Sequence, residues 1–193
     1  MRFTFILFLL FTLACNSKKS NEKQESNLGF NEDKEKAEML KVIEKETDCF
    51  FKRDYDCWQA CYAQTEYAFQ AWNNENGTFN ARYGWDEVSR YAKEYLKNNP
   101  VQERKDKMGE EHTAKVSASS HPDVVRKNIN AKFFSEKLAY LIWDQYNSDA
   151  FHSQKYYYSK DSRIMEKING DWKIVNVTSY WDYRNPVLSD SLR

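Results

Sequence analysis

Few side chains in this 193-residue sequence combine the type and the spacing that chemistry requires. Three histidines are present: His112 follows Glu110-Glu111, His121 precedes Pro122, and His152 stands just ahead of a strand-like run. A metal site needs ligands paired at short, regular spacings, and no two of these histidines are so paired. No metal is therefore expected, and each imidazole reads as a solvated loop residue. His152 is the best placed of the three, because strand ends can line a pocket mouth. Four cysteines occur, at 15, 49, 57 and 61. Cys57 and Cys61 are four apart on a predicted helix and share a face, but a disulfide between them would strain that helix. Buried free thiols are the expectation, and no CxxC or Cys/His spacing suggests zinc. No GxSxG, HExxH or glycine-rich phosphate loop occurs, so no nucleophile elbow, zinc protease site or nucleotide cofactor is expected. What remains is aromatic: 6 Trp, 13 Tyr and 12 Phe. That is too many for a disordered chain, and it implies a core or cavity with large planar walls.

Composition narrows the partners. Lys and Arg number 29 against 29 Asp and Glu, and the two signs are interleaved. No basic stripe exists to attract nucleic acid. The first fifteen residues differ from the rest. Arg2 precedes the apolar run Phe3 to Leu13, and Ala14-Cys15 ends it. A basic start, a short apolar stretch and a small residue at the cut describe a secretory signal. The run is about half of the roughly 20 residues that a membrane-spanning helix needs. The segment resembles a bacterial lipoprotein signal, with Thr12 in place of the usual leucine. That resemblance implies that Cys15 is lipidated and becomes the new N-terminus. Residues 16 to 26 hold no large apolar side chain, so they cannot offset their ordering entropy by burial. The expected organisation is a signal segment over 1–15, a polar tether over 16–33, one domain over 34–183 and a tail over 184–193. The implied location is the bacterial cell envelope, periplasmic or outer surface, with the lipid anchor in the membrane.

The domain begins with helices. Asn31 can cap a helix running to Arg53, with Met39, Leu40, Val42, Ile43, Phe50 and Phe51 at helical spacing. Asp54 can cap a second, short helix that carries Cys57, Trp58, Cys61 and Tyr62 inward. Tyr67 to Trp72 alternates as a strand, and Asn73 to Gly77 is a turn. A third helix spans Trp85 to Asn98 with the stripe Trp85, Val88, Ala92 and Tyr95, and Asn98-Asn99-Pro100 stops it. Val101 to Pro122 reads as a long loop or frayed edge strand. The period then changes to alternation over Asn128 to Phe134, Leu138 to Gln145, Lys155 to Ile168 and Trp172 to Trp181. Asn169-Gly170 predicts a two-residue type I′ hairpin. In the last strand, alternation puts Trp172, Ile174 and Asn176 on one face and Lys173, Val175 and Val177 on the other. The size of the Trp172 ring selects its face for burial. Helices first and antiparallel strands afterwards define an α+β fold.

Four stretches carry a further resemblance: Phe51 to Trp58, Gly84 to Val88, Lys137 to Gln145 and Arg163 to Val175. Their order and spacing resemble the SnoaL-like and nuclear transport factor 2-like superfamily over most of residues 34 to 183. The resemblance implies a cone-shaped, curved antiparallel sheet wrapped around a long N-terminal helix, with a pocket at the open end. Its isomerase-like members use a pocket carboxylate as base. Gln70 lies nearest that place here, and an amide cannot abstract a proton. Their oxyanion tyrosine matches about Glu46. Neither role is filled, so the domain is expected to be non-enzymatic. The resemblance places Trp72, Trp85, Trp143, Trp181, Tyr156 and Tyr158 on elements that enclose the cavity, with Arg82, Arg90 and Arg163 as directional donors. The pocket candidates are Trp72, Trp85, Arg90, Trp143, Tyr156, Tyr158 and Arg163, for a flat, partly apolar or aromatic ligand. Core packing is the alternative for each ring. Tyr156-Tyr157-Tyr158 must straddle both sheet faces, and the resemblance also implies a homodimer through the sheet. The leading reading is a lipid-anchored ligand-binding or scaffold domain. The alternatives are a SnoaL-like isomerase, cyclase or hydrolase, and a protein-interaction module of the envelope.

Overall fold

Asn31 does cap the first helix: its side-chain oxygen accepts from the Lys34 backbone N–H at 3.0 Å, and three acidic residues occupy the first turn of α1 (Glu32–Phe51). Both effects satisfy the positive helix end. The computed structural model describes residues 29–100, 122–148 and 154–193. The signal segment, Cys15, most of the tether, all three histidines and residues 101–121 lie outside the described residues. Along α1, Met39, Ile43, Glu46 and Cys49 are buried at i, i+4, i+7 and i+10, so a carboxylate interrupts an otherwise apolar stripe.

The chain breaks at Arg53, whose φ is +62°, and Asp54 caps α2 (Tyr55–Gln59) by accepting from the Cys57 N–H at 2.9 Å. Cys49 and Cys57 are joined by a disulfide, with Cα atoms 5.6 Å apart. This corrects the expectation of free thiols at 49 and 57. The partner in reach lies across the break between two helices, not one turn along the same helix. Cys61 stays free and buried, and burial pushes its thiol up to about 11.

The sheet has six strands in the order β2-β1-β6-β5-β4-β3. They are β1 (Phe69–Asn73), β2 (Phe79–Tyr83), β3 (Val124–Ser135), β4 (Leu138–Ser148), β5 (Lys155–Ile168) and β6 (Asp171–Leu188), with α3 (Trp85–Asn98) between β2 and β3. The sheet is curved and mixed, and the fold is α+β. Three features differ from the sequence-based expectation. The edge strand β2 pairs antiparallel with β1 in a hairpin that alternation did not reveal, because its Phe79 and Tyr83 point outward and stay exposed. β1 pairs parallel with β6, not antiparallel, because it arrives from the helical half of the chain and not through a hairpin. β6 extends to Leu188, so the predicted tail begins as strand and ends in a 3-10 turn over Ser189–Leu192. The predicted Asn169-Gly170 turn is present, with φ of +53° and +93° at its two residues as a type I′ hairpin demands.

Residues Asn31–Arg193 form one body, and its core explains the register. β4 and β5 pair Ala139 with Met165, Leu141 with Arg163, Trp143 with Asp161, and Gln145 with Ser159. These residues are buried on the inner face. The inner face thus changes character along the strands, from Ala139, Leu141 and Met165 to Gln145, Ser159 and Asp161. In β6 a register shift at Val175 breaks simple alternation. A bulge of this kind turns following side chains to the other face. Trp172 and Ile174 therefore share the inner face with Val177 and Ser179, not with Asn176. Trp172 is 3% exposed and belongs to the main core cluster, as its size predicted.

Two carboxylates tie the fold together. Glu35 accepts from Lys167 Nζ and Trp172 Nε1, each at 2.6 Å, and Asp144 accepts from Lys160 Nζ at 2.7 Å, Asn128 Nδ2 at 2.6 Å and Tyr158 OH at 2.9 Å. The lysine hydrogen bond is the main reason that each carboxyl sits below its ordinary value of 4.5 or 3.8. A carboxyl held low in the folded state contributes stability that is fully present above its unfolded value and is lost as pH falls through the folded one. The thermal midpoint is therefore expected to be flat from pH 7 to about pH 5 and to fall progressively below about pH 4. Asp144→Asn should flatten that fall. A midpoint in the parent that does not change between pH 5 and pH 3 would contradict this account.

Candidate ligand-binding cavity

A cavity of about 620 Å³ opens beside the polar half of the inner sheet face. That lies within the range of small-molecule sites, roughly 300–1,000 Å³. Its walls come from distant parts of the chain. α1 supplies Glu46, Thr47 and Phe50, β1 supplies Gln70 and Trp72, and α3 supplies Tyr91 and Tyr95. β4 and β5 supply Gln145, Asn147, Asp161 and Arg163, and β6 supplies Ser179, Trp181 and Tyr183. The apolar part is ring-rich: Trp72 lies 5.3 Å from Tyr91 between centroids, and Tyr91 stacks on Tyr95 at 6.3 Å.

Three polar groupings line or support this wall. In the first, Glu46 Oε1 accepts from Trp58 Nε1 at 3.1 Å and from Tyr62 OH at 2.8 Å, and Gln70 Nε2 donates to Tyr62 OH at 2.9 Å. Burial first, and then the charge of Glu46, holds the Tyr62 phenol well above its ordinary value. Tyr62 is thus a fixed donor, and Gln70 offers no base. In the second, Asp161 accepts from Ser159 Oγ at 2.6 Å, from Ser179 Oγ at 2.8 Å and from Arg163 Nη1 at 3.2 Å. The Arg163 guanidinium also sits over the Trp143 ring, 5.0 Å from its centroid. In the third, Gln145 Oε1 accepts from Arg126 Nε at 3.1 Å and Trp143 Nε1 at 3.2 Å, while Arg126 Nη2 donates to Thr47 Oγ1 at 2.8 Å. Burial, and then the charge of Arg163, lowers the Arg126 guanidinium from its ordinary value.

The structure divides the predicted site residues. Trp72 and Arg163 line the cavity, and so does Trp181. Trp143 is fully buried beneath Arg163, so it supports the wall without forming it. Trp85 stacks on Trp58 at 6.0 Å in the core behind the wall. Tyr158 has the opposite strand parity from Asp161 and Arg163; its hydroxyl reaches Asp144, and burial is the first cause that pushes its phenol to about 12. Tyr156 is buried and pairs with Ser148 and Val187, and it does not itself line the cavity although Ser148 does. The middle ring, Tyr157, is the one of the three that reaches the cavity. Arg90 lies between Val88 and Ala92 in sequence, hence on the far side of α3; it pairs in solvent with Glu87 at 2.6 Å and Glu94 at 3.5 Å. Arg82 sits over the Tyr91 ring at 4.7 Å and is not itself on the wall.

The sequence reading did not select Glu46, Tyr62, Gln145 or Asp161. A signal was present for Glu46, whose stripe neighbours Met39, Ile43 and Cys49 are apolar, but not for Asp161, which stands between Ser159 and Arg163 on its strand face. Among the described residues, no group of three His, Cys, Asp or Glu side chains could hold a metal ion. No helix among them is long and apolar enough to cross a membrane.

Comparison with solved structures gives the fold. A protein from Pseudomonas putida KT2440, described as NTF2-like and of unknown function, superposes with a TM-score of 0.54 at 9% identity, covering 81% of this chain and 96% of that one. The association domain of CaMKII from C. elegans gives 0.53 at 15% identity, with coverage of 77% and 96%. An NTF-2-like protein of unknown function from Shewanella oneidensis MR-1 gives 0.50 at 18% identity, with coverage of 76% and 98%. No protein-family model matches the sequence, and no curated protein matches it.

Proposed function

We propose that this nuclear transport factor 2-like fold serves as a small-ligand-binding domain, exported and held to a membrane by lipid on Cys15. The observation that carries the binding reading is the cavity, with stacked rings on one side and hydrogen-bonded polar groups on the other. That combination suits a flat, partly apolar molecule. Recognition is favoured over turnover by the state of the wall's acids and bases. Glu46 and Asp161 already accept two and three hydrogen bonds respectively, Tyr62 is held as a donor, and Gln70 is an amide. The SnoaL-like enzyme reading would need one of these carboxylates to leave its partners and take a proton.

The uncharged fluorophore N-phenyl-1-naphthylamine tests the cavity. It is expected to bind saturably at one site per chain. Trp72→Ala and Trp181→Ala are each expected to weaken binding about tenfold, equivalent to roughly 1.4 kcal/mol of lost ring contact. Non-saturable binding, or binding indifferent to both substitutions, would contradict the reading.

The anchor rests on the Ala14-Cys15 junction and the polar stretch after it. The Cys49–Cys57 disulfide supports export, since such bonds persist in oxidising compartments. Cys15→Ala should move the protein out of the membrane fraction, and intact-mass analysis of the parent should show a lipid-modified N-terminus. A free Cys15 thiol in the mature protein would exclude the anchor. A second role, homodimerisation through the outer sheet face, is favoured by exposed Phe79, Tyr83 and Tyr180, which are 77%, 68% and 66% accessible.

A further inference from the structure

We infer that the cavity takes a flat, partly apolar molecule carrying a protonated amine, with the buried Glu46 carboxylate as its counter-ion. The inference deepens the binding reading above and rests on it. It starts from Glu46, which is only 9% exposed. Both hydrogen bonds that its side chain accepts, from Trp58 Nε1 and Tyr62 OH, end on Oε1. Among the described residues, no donor reaches Oε2 and no cation forms an ion pair with the carboxylate. Oε2 is nonetheless open. The unpartnered side-chain atoms that are closed off from solvent are Thr65 Oγ1, Asn147 Oδ1 and Arg163 Nε, and Oε2 is not one of them. The surface it keeps faces the cavity that Glu46 lines. A buried carboxylate is almost always paired, because burial removes the water that would stabilise its charge.

The guanidiniums of this region are engaged elsewhere. Arg163 Nη1 donates to Asp161, and Arg126 donates to Gln145 and Thr47. The wall as a whole carries an excess of acid. Glu46, Asp161 and the exposed Glu75 line the cavity, against Arg163 as the one guanidinium on the wall. Acids still exceed bases when Arg126, bonded to the wall residue Gln145, is added. Such a wall attracts a cationic ligand and repels an anionic one. The fold has already removed most of the water from Glu46, so the ligand's own dehydration is the chief cost of pairing. A charge-assisted hydrogen bond, about twice as strong as a neutral one, offsets it.

Gln70 decides the kind of cation. The Tyr62 hydroxyl gives its proton to Glu46 Oε1, so toward Gln70 it can only accept, and the amide must turn its Nε2 to it. Gln70 Oε1 is left without a donor among the described residues, and it too is not closed off. A carboxylate oxygen and an amide oxygen, one on each side of the same phenol, are thus two acceptors on one wall. A primary or secondary ammonium brings N–H groups to both, whereas a quaternary one brings none. Trp72 stands two residues beyond Gln70 on the same face of β1, and its ring meets Tyr91 at 5.3 Å. These rings suit the flat body of the ligand, and their faces also attract a cation.

Four biphenyls test this on the full chain at pH 7 by isothermal titration calorimetry. 4-Phenylbenzylamine is protonated there, and biphenyl-4-methanol is its neutral counterpart. The N,N,N-trimethyl derivative of the amine keeps the charge without N–H groups, and biphenyl-4-carboxylate reverses the charge. The amine is expected to bind at least about tenfold more tightly than each of the other three, a comparison that needs no variant. Glu46→Gln keeps an acceptor for Trp58 and Tyr62 but removes the charge, and should abolish the amine's advantage over the alcohol. Affinities within about twofold for amine and alcohol, or a trimethylated head bound as tightly as the primary one, would overturn the inference and leave the cavity reading standing. So would an advantage that survives Glu46→Gln. Failure of all four biphenyls while N-phenyl-1-naphthylamine binds would also overturn the inference alone. Failure of all five compounds would remove both.

Discussion

Trp172→Ala is expected to destabilise the domain by about 3–5 kcal/mol. That is a large share of the roughly 5–15 kcal/mol typical of a whole domain. The ring is 3% exposed, lies 6.2 Å from Phe133, and has the Lys167 ammonium 5.4 Å from its centroid. Truncation would leave a void that the rigid β5–β6 hairpin closes only partly. It would also remove a donor from Glu35, which receives Trp172 Nε1 and Lys167 Nζ on the same oxygen, Oε2. Trp172 thereby links the closing hairpin to the first turn of α1, so the loss should be cooperative across the domain. Urea unfolding followed by circular dichroism is the measurement, and Trp172→Phe should recover much of the loss. Trp172 does not line the interior cavity, so the folded variant should still bind N-phenyl-1-naphthylamine. A variant that unfolded within about 1 kcal/mol of the parent yet lost the fluorophore would place Trp172 in the site and refute this division.

The second large effect is expected at Asp161. Its side chain is 1% exposed and that of Arg163 7%, so the pair is shielded from water. Removing one member of such a pair leaves a buried charge without compensation and costs about 3–5 kcal/mol. Asp161→Ala would also strip the acceptor from Ser159 and Ser179, which bring β5 and β6 together at this level. Replacing both members by apolar side chains of similar size behaves differently, because no charge is left behind. Asp161→Leu combined with Arg163→Met should therefore regain most of the stability lost in the single variant. A double variant as unstable as Asp161→Ala would show that the hydroxyl contacts, and not the stranded charge, dominate.

Helices and turns were legible in the sequence where the rule that produces them is local. Asn31 and Asp54 cap helices through hydrogen bonds spanning three residues, and Asn169-Gly170 turns the chain because both positions accept positive φ. The buried stripe of α1 and the ladder of β5 follow from periods of 3.6 and 2. The fold class follows from the change of period along the chain. The cavity was legible only in small part. Trp72 and Arg163 reach it, whereas Arg90, Trp85, Trp143, Tyr156 and Tyr158 do not, because each stands on the wrong side of its element or behind the wall.

Tertiary structure alone decided the rest. The sequence by itself determined the three helices, the strands other than β2 and the closing turn, since those depend on neighbours within about four residues, and the size of Trp172 selected it for burial. It did not determine that Val175 would shift the register and bring Val177, Ser179 and Trp181 inward. Nor did it determine that β1 would lie parallel to β6, or that Cys49 would meet Cys57 across a helix break. The polar set of the cavity unites Glu46, Gln70, Asp161 and Ser179, which are more than 100 residues apart at the extremes. Their meeting depends on strand parity, and one inserted residue reverses parity for everything that follows it. Such a property belongs to the pairing of strands and cannot be read from any one of them.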